Sequence, residues 1–324
     1  MSASRFFGAF LAAVSLWPAT AVAEFKPTRP VEIVVHGGPG SGNDLFARQI
    51  IAMIEQEKLA PVRFQVINKP GGGSTTASGY VASKAGNSHV IGVFTNIWLT
   101  DPILQESATN TLVSMTPVAR ILVEPALLVV RADAPYKSLQ DLIQAAKDRP
   151  GQLKQSGGNV TARENIIRQL IAGQTGARWN FIPFPSGGER LAALLGGHVD
   201  LMILEPGEAA QQIKSGTLRV LAQVADQRLS EFKNVPTLTE AGIKIPSVPQ
   251  TRGIVAPPGI PDDVLAYYED LLERMVRTAA WKNYLESNFF DDAFIKSKET
   301  RAFLSDYANQ IRGYLQETGA KTVR

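Results

Sequence analysis

Short runs rich in β-branched residues alternate with longer amphipathic stretches along most of this chain, and no other feature restricts its fold as much. Strand-like runs stand at VEIVV from Val31, FQVIN from Phe64, HVIGVF from His89, ALLVVRA from Ala126, LKQS from Leu153, NFIPF from Asn180, DLMIL from Asp200, RVLAQV from Arg219 and GIVAP from Gly253. Between them Phe46, Ile50, Met53 and Ile54 share one helical face, Ile166, Ile167, Leu170 and Ile171 a second, and Leu191, Leu194 and Leu195 a third. Pro261, Asp262 and Asp263 mark a helix start whose buried face carries Val264, Tyr268, Leu271, Leu272 and Met275; residues 299–315 form one more amphipathic helix. The alternation predicts an α/β fold with mostly parallel sheets.

The N-terminus follows a different pattern. Arg5 precedes an apolar run over 6–17, and Ala21-Val22-Ala23 stands just before Glu24, the layout of a secretory signal peptide over 1–23. That run is shorter than the roughly 20 residues a membrane-spanning helix needs. About 300 residues then remain, enough for two domains of ordinary size. Cysteine is absent, which excludes disulfides, thiolate nucleophiles and sulfur-bound metals. The net charge of +3 is spread among interspersed acids and bases, so no basic stripe points to nucleic acid. Two stretches read as crossings between domains: Val123-Glu124-Pro125 and the proline-rich 245–250. Two crossings make one lobe from 24–124 and 246–324 and the other from 125–245, with a ligand expected in the cleft between them.

Three turns rich in glycine and small polar residues precede helices: Gly37-Gly38-Pro39-Gly40-Ser41-Gly42-Asn43-Asp44, Ser156-Gly157-Gly158-Asn159-Val160-Thr161 and Pro185-Ser186-Gly187-Gly188. Glycine admits close backbone approach, and free N–H groups at a helix start favour an anion. The first turn ends Gly42-Asn43-Asp44, without the lysine of a phosphate loop, and has Asn43 where a dinucleotide fingerprint needs its third glycine. No cofactor is expected. His36, His89 and His198 show no metal-ligand spacing, and no Gly-x-Ser-x-Gly elbow is present. His36 opens the first turn and is placed to touch a ligand.

The same turns resemble those of the periplasmic receptors of tripartite tricarboxylate transporters, the Bug-type receptors. The likeness runs from about Pro27 to the C-terminus. It rests on Pro39 to Asp44 followed by Ala47-Arg48, on Asn68-Lys69-Pro70-Gly71-Gly72, and on Leu194-Leu195-Gly196-Gly197-His198-Val199-Asp200. Asn234-Val235-Pro236-Thr237 with Glu240-Ala241-Gly242, and Ala256-Pro257-Pro258-Gly259-Ile260-Pro261, follow in order. This resemblance implies a Venus-flytrap (periplasmic-binding-protein) fold: two α/β lobes, a ligand cleft between them, and a small organic carboxylate handed to the transporter's membrane subunits. It implies a periplasmic, monomeric receptor that is not an enzyme. Ser41, Asn43 and Asp44 then line one side of the site and Ser156, Gly158, Asn159 and Thr161 the other, although Asp44 also suits helix capping. Gly38, Pro39, Gly40, Gly42, Thr95, Asn96, Gly157, Phe184 and Gly187 complete the turns and strand ends around them.

Departures from the family pattern fall at Arg163-Glu164, where a histidine is usual, and at Leu204-Glu205, where an aspartate is common. Arg163, Arg190 and Arg252 are each either solvated or able to pair a second carboxylate of the ligand. Trp98 and Phe184 either stack on a planar ligand or pack in the core. Rival readings are an exported hydrolase or lyase with Glu205 or His36 as base, and a sensory receptor of the same fold.

Overall fold

A computed structural model describes residues 25–159, 161–246, 248–317 and 322–323. The signal-peptide segment lies outside the described residues. The elements run β1 Val31–Val35, α1 Gly42–Gln56, β2 Phe64–Asn68, α2 Thr75–Ala82, β3 Val90–Phe94, α3 Ile97–Leu104, β4 Thr116–Glu124 and β5 Ala126–Arg131. They continue through α4 Leu139–Asp148, β6 Lys154–Gly157, α5 Arg163–Thr175, β7 Asn180–Pro183, α6 Gly187–Leu195, β8 Leu201–Leu204, α7 Ala210–Lys214 and β9 Leu218–Val224. The chain closes with β10 Gln250–Ala256, α8 Asp262–Val276, α9 Ala279–Asn288, β11 Asp291–Lys296 and α10 Ser297–Glu317. Among the described residues no helix is long and apolar enough to cross a membrane.

Two sheets result, a six-stranded one in the order β11-β4-β10-β3-β1-β2 and a five-stranded one in the order β7-β6-β8-β5-β9. Both are mixed, which corrects the expectation of mostly parallel sheets. Strands β1, β2 and β3 are joined by helical crossovers and pair in parallel, as do β6, β7 and β8. Strands β5 and β10 each follow a crossing between sheets and enter their new sheet antiparallel to its neighbours. A crossing delivers a strand from the opposite lobe, so no crossover helix forces a parallel register.

The apolar periodicities land where packing requires them. Phe46, Ile50, Met53 and Ile54 of α1 close over one face of the larger sheet together with Tyr268, Leu271 and Met275 of α8. On its other face Trp98 and Leu99 of α3 meet Leu304, Tyr307 and Ile311 of α10. That cluster continues without a break into Leu128, Val130, Ile166, Ile167 and Leu170 of the smaller sheet's lobe. The two lobes therefore share one core along the edge where α10 meets α5.

Gly253 sits at the centre of the larger sheet, where a methyl group would overlap the Ala119 carbonyl oxygen and the Phe94 ring. The oxygen belongs to the neighbouring strand and has nowhere to retreat. Gly253→Ala is therefore expected to lower stability by about 3 kcal/mol, the upper end for overpacking, read as a drop in the urea midpoint at unchanged slope.

Candidate functional site

The first glycine turn links β1 to α1 and is braced from within. Ser41 takes the N-cap position in extended backbone, and its hydroxyl accepts the Asp44 N–H at 3.4 Å. Asp44 turns back on the loop, accepting the Gly40 N–H at 2.9 Å, the Asn68 side-chain amide at 3.0 Å and Arg48 Nε at 2.9 Å. Gly40 itself adopts φ +79°, a region that favours glycine. Gly38 has open space around its α-carbon and Pro39 is exposed. The groups left facing outward are the N–H groups of Gly42 and Asn43, which open α1 and lack an acceptor one turn back.

The hydrogen bond from Arg48 holds Asp44 down to about 2 against the effect of burial, with Gly40 and Asn68 adding to it. A folded-state value below the unfolded one gives stability that is present above the unfolded value and lost as pH falls through the folded one. Acid unfolding should therefore steepen between about pH 4 and about pH 2. In Asp44→Asn that limb is expected to flatten, followed as the thermal midpoint against pH.

The second turn, after β6, repeats the design. Glu164 Oε1 accepts the Gly158 N–H at 2.6 Å, and Asn159 Oδ1 accepts the Thr161 N–H at 2.9 Å. Gly157 lies against the Phe181 ring, and Ser156 is fully buried with its hydroxyl unpartnered. Thr161 reaches across to the other lobe: its hydroxyl shares its one proton between Asp101 Oδ1 at 2.9 Å and Asn159 Oδ1 at 2.7 Å, while its carbonyl accepts the Thr100 hydroxyl at 2.9 Å. Asp101 also accepts the Ser74 N–H at 2.6 Å and the Ser74 hydroxyl at 2.8 Å, joining α3, the start of α2 and the second turn in one buried cluster. Arg163 and Glu164 open α5, so their N–H groups face outward as those of Gly42 and Asn43 do.

The third turn opens α6 at Gly187, whose α-carbon faces the Glu208 carboxyl. Phe184 packs with Ile182, Leu191 and Leu195 against the core on the outer side of the smaller sheet. Thr95 and Asn96 are buried beyond β3; Asn96 donates to the Pro249 carbonyl at 2.8 Å and accepts the Thr251 N–H at 2.9 Å. Asn96 thus pins the second crossing, a structural duty that its sequence position did not disclose.

All three arginines picked out from the sequence are already paired by the chain itself, and none is solvated. Arg252 of β10 holds both carboxylate oxygens of Glu124 and donates to Asn43 Oδ1 at 2.7 Å. Arg163 donates to Glu205 Oε1 at 2.6 Å and to the Glu124 carbonyl at 2.8 Å. Arg190 lies 3.6 Å from Glu164 and 4.0 Å from Glu208, and donates to the Ile203 carbonyl at 2.6 Å. Burial disfavours Glu205's charge, but Arg163, a hydrogen bond from Glu208 and then Arg190 outweigh it and hold the carboxyl at about 2. Glu208 moves the other way, pushed well up by burial and by Glu205 beside it. Glu205 is thus held charged and Glu208 shifted toward its neutral form.

His36 is a ring acceptor rather than a free base. Trp98 Nε1 donates to its Nδ1 at 2.8 Å, and the Asn43 side-chain amide lies 2.6 Å from Nε2. Burial, then Arg252, pushes its pKa down to about 3. Trp98 is itself fully buried in the core, as the packing reading of that residue had it. Sequence reasoning did not find Glu124, Glu164, Glu208 or Asp101 as parts of this cluster. Glu164 carried a signal as half of the Arg163-Glu164 departure, and Glu124 as a lone carboxylate inside the run ILVEPALLVV.

A cavity of about 530 Å³ opens between the lobes, lined by Gly42, Leu45, Glu205, Glu208, Arg252 and Tyr284 among others. A larger groove of about 790 Å³ lies along the crossings, between Val123, Pro125, Pro249 and Phe289, and touches none of the three glycine turns. The smaller cavity is the candidate site because turn, arginine and carboxyl pair converge on it. Among the described residues no group of histidines and acids is arranged to hold a metal ion.

The model of the tripartite tricarboxylate transporter family receptor matches residues 46–320. Protein BugT of Bordetella pertussis is 25% identical over 317 residues, covering 97% of this chain and 96% of its own. The solved structure of R. palustris Rpa4515 with adipate superposes with a TM-score of 0.83 at 22% identity, over 90% of this chain and 98% of that one. MatC from Rhodopseudomonas palustris with bound malate gives a TM-score of 0.79 at 22% identity, over 89% and 99%. The architecture is thus the two-lobed periplasmic-binding-protein fold, and its relatives capture solutes rather than transform them. That answers the hydrolase reading, whose proposed bases are engaged by Arg163 and Trp98. With the family match spanning most of its length, the chain belongs to the tripartite tricarboxylate transporter receptors.

Proposed function

We propose that the protein is an extracytoplasmic receptor that closes over a small organic carboxylate and delivers it to the membrane subunits of a tripartite transporter. The observation that carries this reading is the pair of helix starts, at Gly42 of α1 and Arg163 of α5, which leave unpaired N–H groups in two different lobes. The ligands named for the related structures, adipate and malate, are carboxylates of fitting size. On this reading the carboxylate is taken by the backbone of 42–43 and 163–164, with Ser41, Gly158 and Asn159 around it. The crossings at 124–125 and 245–250 act as the hinge, and the Thr161 to Asp101 contact closes with the cleft. The protein works as a monomer in the periplasm, once residues 1–23 are removed.

Thermal unfolding against a panel of mono-, di- and tricarboxylates tests it, because a ligand that binds only the native state raises the midpoint. A shift of several degrees with one class of acid is expected. If no acid moves the midpoint, the receptor reading for carboxylates fails.

A further inference from the structure

We infer that the C-terminal end of α9, Asn288 with Phe289, is a bearing on which the two lobes rest, and that it sets how readily the cleft closes. Its effect on affinity rests on the receptor reading above; its effect on the spacing of the lobes does not.

Two contacts between lobes meet at this point. The turn 206–209 after β8, in the smaller lobe, comes against α9 backbone to backbone: a methyl group on Gly207 would stand 3.3 Å from the Asn288 carbonyl oxygen and 3.5 Å from its α-carbon. Gly207 is not among the glycines with positive φ, so its own backbone would accept a side chain. What needs a bare α-carbon there is the approach of the other lobe. One residue further along α9, the Phe289 ring lies 6.0 Å from that of Phe232, which packs on the smaller lobe's apolar cluster.

Phe289 makes this contact from a backbone conformation that its side chain disfavours. It caps α9 at φ +57° and ψ +41°, in the left-handed region, and the Phe290 N–H returns to the Leu285 carbonyl at 3.0 Å. A helix that ends this way normally places glycine at the left-handed position. Glycine would serve the helix end at less cost, so the ring is explained by its partner in the other lobe. Among the described residues the other non-glycine positions with positive φ are Lys58 and Val248, and Val248 lies in the second crossing. Left-handed backbone in bulky apolar residues thus gathers where the lobes join, as strain does at parts that switch.

The place of the bearing gives it leverage over the site. Gly207 follows by two residues Glu205, which holds Arg163 at the start of α5. On the other side of the contact, Tyr284 and Asn288 of α9 line the cavity together with Gly42. Widening the gap at the bearing therefore draws apart the helix starts of the two lobes. Phe289 itself lines the groove along the crossings and not that cavity, so it acts as a positioning residue.

The chain has no cysteine, so Glu57→Cys in the larger lobe and Lys214→Cys in the smaller, both exposed, carry a spin-label pair for dipolar distance measurement on the ligand-free mature chain. In that background Phe289→Gly and Gly207→Val are each expected to lengthen the interlobe distance or add a longer population. Phe289→Gly should do so with a thermal midpoint equal to or above the parent's, because glycine suits the left-handed position. A ring that only supported its own lobe would lower the midpoint and leave the distance as it was. In calorimetric titration with acetate, succinate, malate, adipate and citrate, any acid that binds the parent should bind Phe289→Gly about threefold to tenfold more weakly, the worth of one aromatic contact. Distances unchanged in both variants overturn the proposal, as does a lengthened distance with undiminished affinity for an acid that the parent binds. Lengthened distances in a protein that binds none of the acids support the bearing and remove the carboxylate reading instead.

Discussion

Arg252→Ala should cost the protein about 3–5 kcal/mol of stability, the range for removing one partner of a buried ion pair. Glu124 is 0% exposed at the end of β4, directly before the chain crosses to the other lobe. Arg252, one strand over, binds both of its oxygens, and burial together with Glu205 already pushes Glu124 toward its neutral form. Without Arg252 the Glu124 carboxylate would stand in the core with only the weaker influence of Arg163 against it, and Asn43 would lose the donor that ties the first glycine turn to β10. The loss is read as the urea midpoint at constant slope. Adding Glu124→Gln to the variant should recover more than half of it, because the orphaned charge goes with the substitution. A single-variant loss below about 1 kcal/mol would mean that the pair does not hold this corner.

Asp101→Ala carries the second large effect, about 3 kcal/mol. The carboxylate is fully buried and accepts from the Ser74 backbone and hydroxyl, from Gln105 and from Thr161. Its removal leaves the Ser74 N–H without an acceptor, leaves the Ser74 hydroxyl only the Ile97 carbonyl at 3.3 Å, and cuts the hydrogen bond to the other lobe. Thr161→Val separates these contributions, since it deletes only the bridging hydroxyl. The expected outcome is about 1 kcal/mol in stability and, on the proposed reading that this contact closes with the cleft, a weakening of ligand binding of roughly tenfold. Equal losses of stability in the two variants would show that the intralobe bonds of Asp101 contribute nothing.

The strands were legible wherever burial on both faces demanded apolar runs, as at β1, β3, β5 and β8. Two strands were not. In β4 the sequence TPVARILVE carries Arg120 in its middle, whose guanidinium is accepted by the Ala293 carbonyl and lies over the Phe303 ring. In β11 the sequence DDAFIK is polar because the strand forms a sheet edge, where charge is tolerated and protective. The glycine turns announced themselves through composition, but their internal bracing did not. Whether an arginine is solvated, ligand-bound or paired depends on a partner that lies 128 residues away in the case of Arg252 and Glu124. No local pattern reports such a distance. The same limit hid Asp101, which looks like an ordinary helix residue until β6 and α5 bring Thr161 to it.

Strand β10 lies between β3 and β4 in the larger sheet, although it follows them in sequence by more than a hundred residues. During synthesis the smaller sheet, made from one continuous stretch, can therefore assemble first. The larger one must wait with an open seam until residues near 250 have emerged. Until then the facing edges of β3 and β4 are unpaired and apolar, and any helper that shields a nascent segment of this chain has its natural target in that seam.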